Sequence, residues 1–368
     1  MTSRPVVAVN ATALSSSGGL TILQQFLNYI QKDNRYRYII FVSNAAALPH
    51  SENYELIEIK AASLLSRIKW DWFGFSEYLK KHAIQPHKII SLQNTSIQSE
   101  FEQIIYLHNA IPFDSAVWKY IKTRNLKFLF YRFVYAYFIY KFVSEKTVIV
   151  VQTEWMKSIV LKKCPKLHEK NIKVIVPGID VLESPRENAN KDLKSLLYPA
   201  TPLFYKNHDI ILKALKQLVD KSVDIPFCFS VTFAKGDFLV FDKLVEKYQL
   251  SQYINYLGML ERKSVLSVYR DAHLIVYPSS VESFGLPLAE SALLGKKIIC
   301  TDLPYAREVL NGYSNVTFVE SDNIHAWATT IQKNLSVDND DEQTKCDNAI
   351  FLESFKDTSG WRKFIELI

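Results

Sequence analysis

The chain has 368 residues, too many for one typical hydrophobic core, so two domains of ordinary size are expected. Hydrophobic residues make up 48% and charged residues 22%, a globular balance, and the net charge is +6. Cys164, Cys228, Cys300 and Cys346 are widely spaced with no C-x-x-C pair. That argues against a disulfide framework or a zinc site and for a reducing cytosol.

Met1-Thr2-Ser3-Arg4-Pro5 leads straight into the strand-like Val6-Val7-Ala8-Val9 with no signal-peptide core, so no secretion is expected. A loop over Ser15-Ser16-Ser17-Gly18-Gly19 follows, then a helix with Leu23, Phe26, Leu27 and Ile30 on one face. Glycine lets main chain approach a phosphate closely, although Gly18-Gly19 lacks the further glycine of a dinucleotide fingerprint and suits a plain loop equally. Tyr38-Ile39-Ile40-Phe41-Val42, Ile104-Ile105-Tyr106-Leu107 and Val148-Ile149-Val150-Val151 read as buried strands separated by helical stretches. Such alternation predicts a parallel sheet covered on both faces. His108 follows one of these strands directly, a position that is more often structural than catalytic when the histidine stands alone.

Residues 118–146 carry seven Lys or Arg (Lys119, Lys122, Arg124, Lys127, Arg132, Lys141 and Lys146) against Glu145 alone, amid many aromatics. Interruption by Arg132 leaves the segment short of the ~20 apolar residues of a spanning helix. It fits an anionic membrane surface, or a core helix whose basic side chains snorkel to water. No nucleic-acid module accompanies it.

A boundary is predicted near Val174-Ile175-Val176-Pro177-Gly178-Ile179-Asp180, followed by a polar stretch from Glu183 to Lys194. Alternation then resumes: a strand from Leu196 to Phe204, Lys206 just beyond it, and a helix from Asn207 to Lys221. Phe227 to Phe233, Tyr253 to Leu257, His273 to Tyr277, Lys297 to Cys300 and Val316 to Val319 read as further strands. Asp338-Asn339-Asp340-Asp341-Glu342 reads as a solvated loop, and Trp361, Phe364, Ile365 and Ile368 mark a last helix.

Between two of these strands stands Glu282-Ser283-Phe284-Gly285-Leu286-Pro287-Leu288-Ala289-Glu290. Pro287 suits the first position of a helix running to Gly295, and such a start offers free N–H groups and partial positive charge near Gly285 and Leu286, favourable to a diphosphate. Glu282 falls in the loop beside that point and Glu290 about two turns into the helix. Ionised carboxylates accept hydrogen bonds, and vicinal hydroxyls of a sugar or ribose supply them. An ordinary strand-turn-helix with two exposed glutamates would give the same string.

The stretch resembles the E-x7-E signature of retaining GT-B glycosyltransferases, glycosyltransferase family 4 in particular. The resemblance implies an α/β GT-B fold: two Rossmann-like doubly wound domains facing a central cleft. It divides the chain into residues 1–178 on the acceptor side, 179–345 binding the nucleotide sugar, and 346–368 as a C-terminal helix packing back toward the first domain. The implied activity is transfer of a hexose from a UDP- or GDP-sugar to a glycan, with retention. A lipid-linked oligosaccharide of bacterial O-antigen, capsule or exopolysaccharide synthesis is the expected acceptor, and the cytoplasmic face of the membrane the expected location.

By the same resemblance Gly18, Gly19, Lys206, Ser283, Phe284, Gly285, Leu286 and Glu290 bind the donor, while Glu282, His108 and Lys206 carry the chemistry. No metal and no further cofactor is implied. The family usually places an arginine about five residues before the lysine, but Thr201 and Pro202 stand there; Lys235 is a weak substitute. A sugar-nucleotide epimerase of the same fold and a non-catalytic carbohydrate-binding scaffold are the rival readings.

Overall fold

The computed structural model describes residues 4–15, 17–61, 63–113, 135–179, 193–222, 225–336, 351 and 360–368. Asp180, the polar stretch to residue 192, Asp338 to Glu342, Cys346 and residues 118–134 of the basic aromatic segment lie outside them. The described residues form two compact units, one comprising those up to Gly178 and from Gly360 onward, the other those from Ile179 to Phe351.

The first unit is built on strands β1 (Val6–Asn10), β2 (Arg37–Val42), β3 (Tyr54–Glu58), β4 (Lys88–Ser91), β5 (Gln103–Tyr106), β6 (Val148–Val151) and β7 (Ile172–Val174). All pairings are parallel, in the order β3-β2-β1-β4-β5-β6-β7. Val and Ile runs buried on both faces, such as Val7, Ala8 and Val9 at 0% exposure, are what a parallel sheet between two helical layers requires. The chain moves outward from β1 through β2 to β3, then returns to lay β4 on the other side of β1. That reversal makes the carboxyl ends of β1 and β4 a topological switch point, where open α/β sheets place their ligands.

Phe26, on the helix Ser17–Ile30, anchors one face of this sheet. Its ring lies 6.2 Å from Tyr38, 5.4 Å from Trp361 and 6.4 Å from Phe364, so the C-terminal helix Gly360–Ile365 completes this core. Glycine is needed at residue 360 because a Cβ there would lie 2.4 Å from the Val176 carbonyl oxygen. Gly360→Ala is therefore expected to cost about 1–3 kcal/mol, the usual range for overpacking. Urea denaturation measures it, and a change below about 0.5 kcal/mol would show that the helix docks more loosely than drawn.

The second unit has strands β8 (Lys194–Tyr198), β9 (Phe227–Val231), β10 (Ile254–Tyr256), β11 (Leu274–Tyr277), β12 (Lys297–Thr301) and β13 (Val316–Val319). They too pair in parallel, in the order β10-β9-β8-β11-β12-β13. Here the switch point lies between β8 and β11. Two sheets of this kind confirm the α/β class expected from the alternation.

Two local expectations need correction. The strand expected from Leu196 to Phe204 stops at Tyr198, because Pro199 lacks an N–H for the ladder; Phe204–Lys206 is instead a 3-10 turn. The helix after β1 begins at Ser17, so Gly18 and Gly19 lie in its first turn rather than in a loop.

Candidate active site

The carboxyl ends of β8 and β11 carry the most distinctive side chains of the second unit. After β8 the chain closes the turn Phe204–Lys206, and Asn207 takes a left-handed conformation (φ 55°) before the helix His208–Asp220. The Tyr198 hydroxyl donates to the Lys206 carbonyl at 2.7 Å and fixes this turn to the end of its strand. On the β11 side, the Ser280 N–H donates to the Tyr205 carbonyl at 2.8 Å, and the Tyr305 hydroxyl to the Ser279 carbonyl at 2.7 Å. Main-chain bonds thus hold the two loops together.

Lys206 and Glu282 meet within this frame. The Lys206 ammonium donates to Glu282 Oε1, and the Tyr277 hydroxyl donates to the same oxygen at 2.7 Å. Both charged side chains are largely shielded, 12% and 15% exposed. Burial, and secondarily the Glu282 charge, pushes the Tyr277, Tyr198 and Tyr305 hydroxyls well above their ordinary pKa, so all three remain protonated donors. The second Glu282 oxygen carries no such bond among the described residues.

Three residues on, Gly285 adopts φ +86° as the N-cap of the helix Leu286–Leu293, a conformation that a Cβ would strain. Pro287 is thus the second helical residue, not the first, and Glu290 the fifth, a little over one turn in rather than two. First-turn N–H groups of a helix point out of its end, which suits an anion there. Glu290 is buried (4% exposed), as is Phe284 (3%), so Phe284 has only main chain to offer a ligand. Thr201 and Pro202 bring no cation, and Lys235 stands in an exposed turn after β9. The arginine of the family pattern therefore has no replacement at these positions.

Gly18, Gly19 and His108 belong to the first unit. A Cβ at Gly18 would meet nothing within 4 Å, whereas one at Gly19 would press on Leu14 Cδ2 at 3.1 Å. Gly19 is thus explained by packing and Gly18 is not. His108 stands beyond β5, its N–H donating to Asn94 Oδ1 at 2.7 Å. Its Nε2 lies 3.0 Å from the Leu92 carbonyl and 3.3 Å from Asn94 Nδ2; the shorter contact is attractive when Nε2 carries the proton, at the expense of the longer one. Desolvation lowers the pKa to about 4, so the ring is neutral near pH 7 with Nδ1 as its acceptor. Nothing in the sequence marks Leu92 and Asn94 as the residues that hold His108, or Tyr198, Tyr277 and Tyr305 as the hydroxyls around Glu282. The only hint was a tyrosine closing each of the runs Leu196-Leu197-Tyr198 and Ile275-Val276-Tyr277.

Among the described residues no group of three or more His, Cys, Asp or Glu could hold a metal ion, and no helix is long and apolar enough to cross a membrane.

Residues 181–350 match the family described as Glycosyl transferases group 1, a span containing Lys206 and the whole Glu282 to Glu290 segment. The structure of WaaG, a glycosyltransferase involved in lipopolysaccharide biosynthesis, superposes with a TM-score of 0.75 at 16% identity, over 98% of this chain and 99% of that one. Anabaena HepE, solved with UDP and glucose, gives 0.67 at 12% identity over 99% of both chains. The fold is GT-B. Among curated relatives, D-inositol 3-phosphate glycosyltransferase of Corynebacterium urealyticum is 24% identical over 193 residues, 48% of this chain and 45% of that protein. The chain spans less than half the length of the curated relatives it matches.

Proposed function

We propose that the protein is a retaining glycosyltransferase that moves a hexose from a UDP- or GDP-sugar to a glycan acceptor. The observation that carries this reading is the Lys206–Glu282 pair at the switch point of the second sheet, three residues before a helix start built on a left-handed glycine. Cation, carboxylate and helix N-terminus are the three groups needed to hold a diphosphate and the sugar it carries.

In the proposed reaction the donor exchanges partners with the ion pair. The diphosphate takes the Lys206 ammonium and the N–H groups at Gly285 and Leu286, and Glu282 is released to accept sugar hydroxyls while Tyr277 still orients it. Glu290 holds the ribose, and the neutral His108 accepts a sugar hydroxyl at Nδ1. As the glycosidic bond breaks, negative charge grows on the leaving diphosphate where Lys206 and the helix start stabilise it. The acceptor hydroxyl attacks from the same face and gives its proton to the departing phosphate. These groups answer the leaving-group charge without a metal, so activity should persist in EDTA. Titrating purified protein with UDP- and GDP-hexoses and measuring released nucleoside diphosphate tests the reading.

WaaG serves lipopolysaccharide biosynthesis, and we assign this chain a related lipid-linked acceptor in bacterial surface polysaccharide synthesis. Peripheral contact with the cytoplasmic membrane belongs to that proposal. Trp72 meets Tyr137 edge to face with ring centroids 6.5 Å apart, Lys141 Nζ lies 5.0 Å from the Tyr137 ring, and Leu65 and Phe73 are 78% and 56% exposed nearby in sequence to Trp72. Aromatic, apolar and cationic groups so combined suit an anionic lipid surface. Flotation with anionic vesicles should recover the protein and weaken as salt rises. Recovery independent of lipid charge and salt would remove the membrane from the account.

A further inference from the structure

The first unit has its own switch point, between β1 and β4, and a buried polar network occupies it. Asp71 is central. Its Oδ1 accepts from Asn10 Nδ2 at 2.7 Å and Gln93 Nε2 at 2.9 Å, and its Oδ2 from Thr95 Oγ1 at 2.7 Å. Asn10 closes β1, while Gln93 and Thr95 follow β4, so the carboxylate sits across the reversal of the sheet. Gln93 Oε1 in turn accepts from Thr12 Oγ1 at 3.0 Å and the Ala13 N–H at 2.9 Å.

An irregular stretch of helix delivers Asp71 to this place. Trp70–Gly74 is a π-helical turn between the α-helices Leu64–Lys69 and Phe75–Lys81. It aims Trp70 Nε1 at Asn10 Oδ1 (3.2 Å) and Asp71 into the network. Gly74 permits the turn, since a Cβ there would lie 2.7 Å from the Trp70 ring. Single π turns inside α-helices recur at functional sites.

Asp71 also lines a cavity of about 40 Å³ whose wall includes Ala13, Arg67, Trp72, Ser96 and Tyr135. This volume admits one hydroxyl or hydroxymethyl group and not a whole sugar ring. A purely structural carboxylate needs no such opening. Oδ2 has one bond from Thr95 and a second lone pair to offer, and the aromatic side chains Trp72 and Tyr135 are among those that line the cavity.

We infer that this cavity is a carbohydrate subsite in which Asp71 accepts a hydrogen bond from one hydroxyl arm of the acceptor sugar, with Trp72 and Tyr135 flanking the ring outside. The inference rests on the transferase reading for calling that sugar the acceptor. Burial pushes Asp71 up to about 7 against the lowering effect of its Thr95, Asn10 and Gln93 donors and of the Arg67 charge.

The test is saturation-transfer NMR on the full chain with millimolar methyl α-glucoside, methyl α-galactoside and methyl α-mannoside, alongside titration of UDP and GDP. Asp71→Asn preserves the acceptor oxygen for Asn10 and Gln93 and lets Thr95 Oγ1 accept instead, so the network survives while the charge is lost. Ala13→Leu fills the cavity and keeps the main-chain N–H that donates to Gln93 Oε1, which covers the case in which the asparagine variant does not fold. At least one glycoside should contact the wild-type chain and bind about tenfold or more weakly to either variant, with nucleoside diphosphate affinity unchanged. Glycoside contact that ignores both substitutions, or no contact with any of the three, overturns the subsite. Failure of UDP and GDP to bind would instead count against the transferase reading.

Discussion

Lys206→Ala will lower turnover by about a hundredfold to a thousandfold, the usual result of removing one preorganised donor from a developing anion. The ammonium is already held next to Glu282 by a turn tied to Tyr198, so nothing must be assembled when charge appears on the diphosphate. In the variant Glu282 keeps Tyr277 and loses its cation, which makes the site less hospitable to phosphate twice over: one positive charge is gone and one negative charge is uncompensated. The loss should appear in both kcat and kcat/KM, since the interaction strengthens as the bond breaks. Melting temperature should fall as well, because the pair is only 12% and 15% exposed and removing the lysine leaves the Glu282 charge shielded and unpaired, so turnover is compared at a temperature where both proteins are folded. A change in turnover below threefold would remove Lys206 from the leaving-group machinery.

The two glutamates should separate kinetically. Glu282→Gln is expected to cut kcat by about tenfold or more with donor KM nearly unchanged, because its partner is the sugar undergoing reaction; Glu290→Gln should raise donor KM by a similar factor and spare kcat, because a ribose is remote from the reacting bond. Glutamine is the better replacement at both positions. At residue 282 it retains an acceptor for Tyr277, and at residue 290, 4% exposed, it avoids the cavity that alanine would leave in the helix packing. Steady-state kinetics with a single donor decides the assignment, and identical effects at both positions would contradict it.

How much of this could be read from residues alone depended on the range of the forces involved. Val7 to Val9 and Leu274 to Tyr277 are apolar runs buried on both faces, and such runs announce a parallel sheet without help from the rest of the chain. β3, Tyr54–Glu58, is an edge strand of mixed exposure, and β4, Lys88–Ser91, has only Ile89 and Ile90 as apolar residues, so neither carries a clear strand pattern. The Glu282 to Glu290 segment was legible because a strand, a turn, a glycine and a helix start are consecutive. Asp71 was not, since its partners lie 61, 22 and 24 residues away and nothing local distinguishes it from a surface carboxylate. Lys206 and Glu282 are likewise far apart in the chain, 76 residues, so both could be nominated singly but their pairing came from the topology that makes β8 and β11 neighbours.

The most direct test of the central claim is the anomeric configuration of the product. An inverting enzyme needs a base placed to deprotonate the acceptor on the side away from the leaving group, and in this proposal the neutral His108 and Glu282 are both engaged with the sugar. Purified protein given an α-linked UDP- or GDP-hexose and its acceptor should yield free nucleoside diphosphate and an α-linked product, read from the anomeric coupling constant by NMR. A β-linked product from the α donor, or no nucleoside diphosphate release with any donor, would contradict the account.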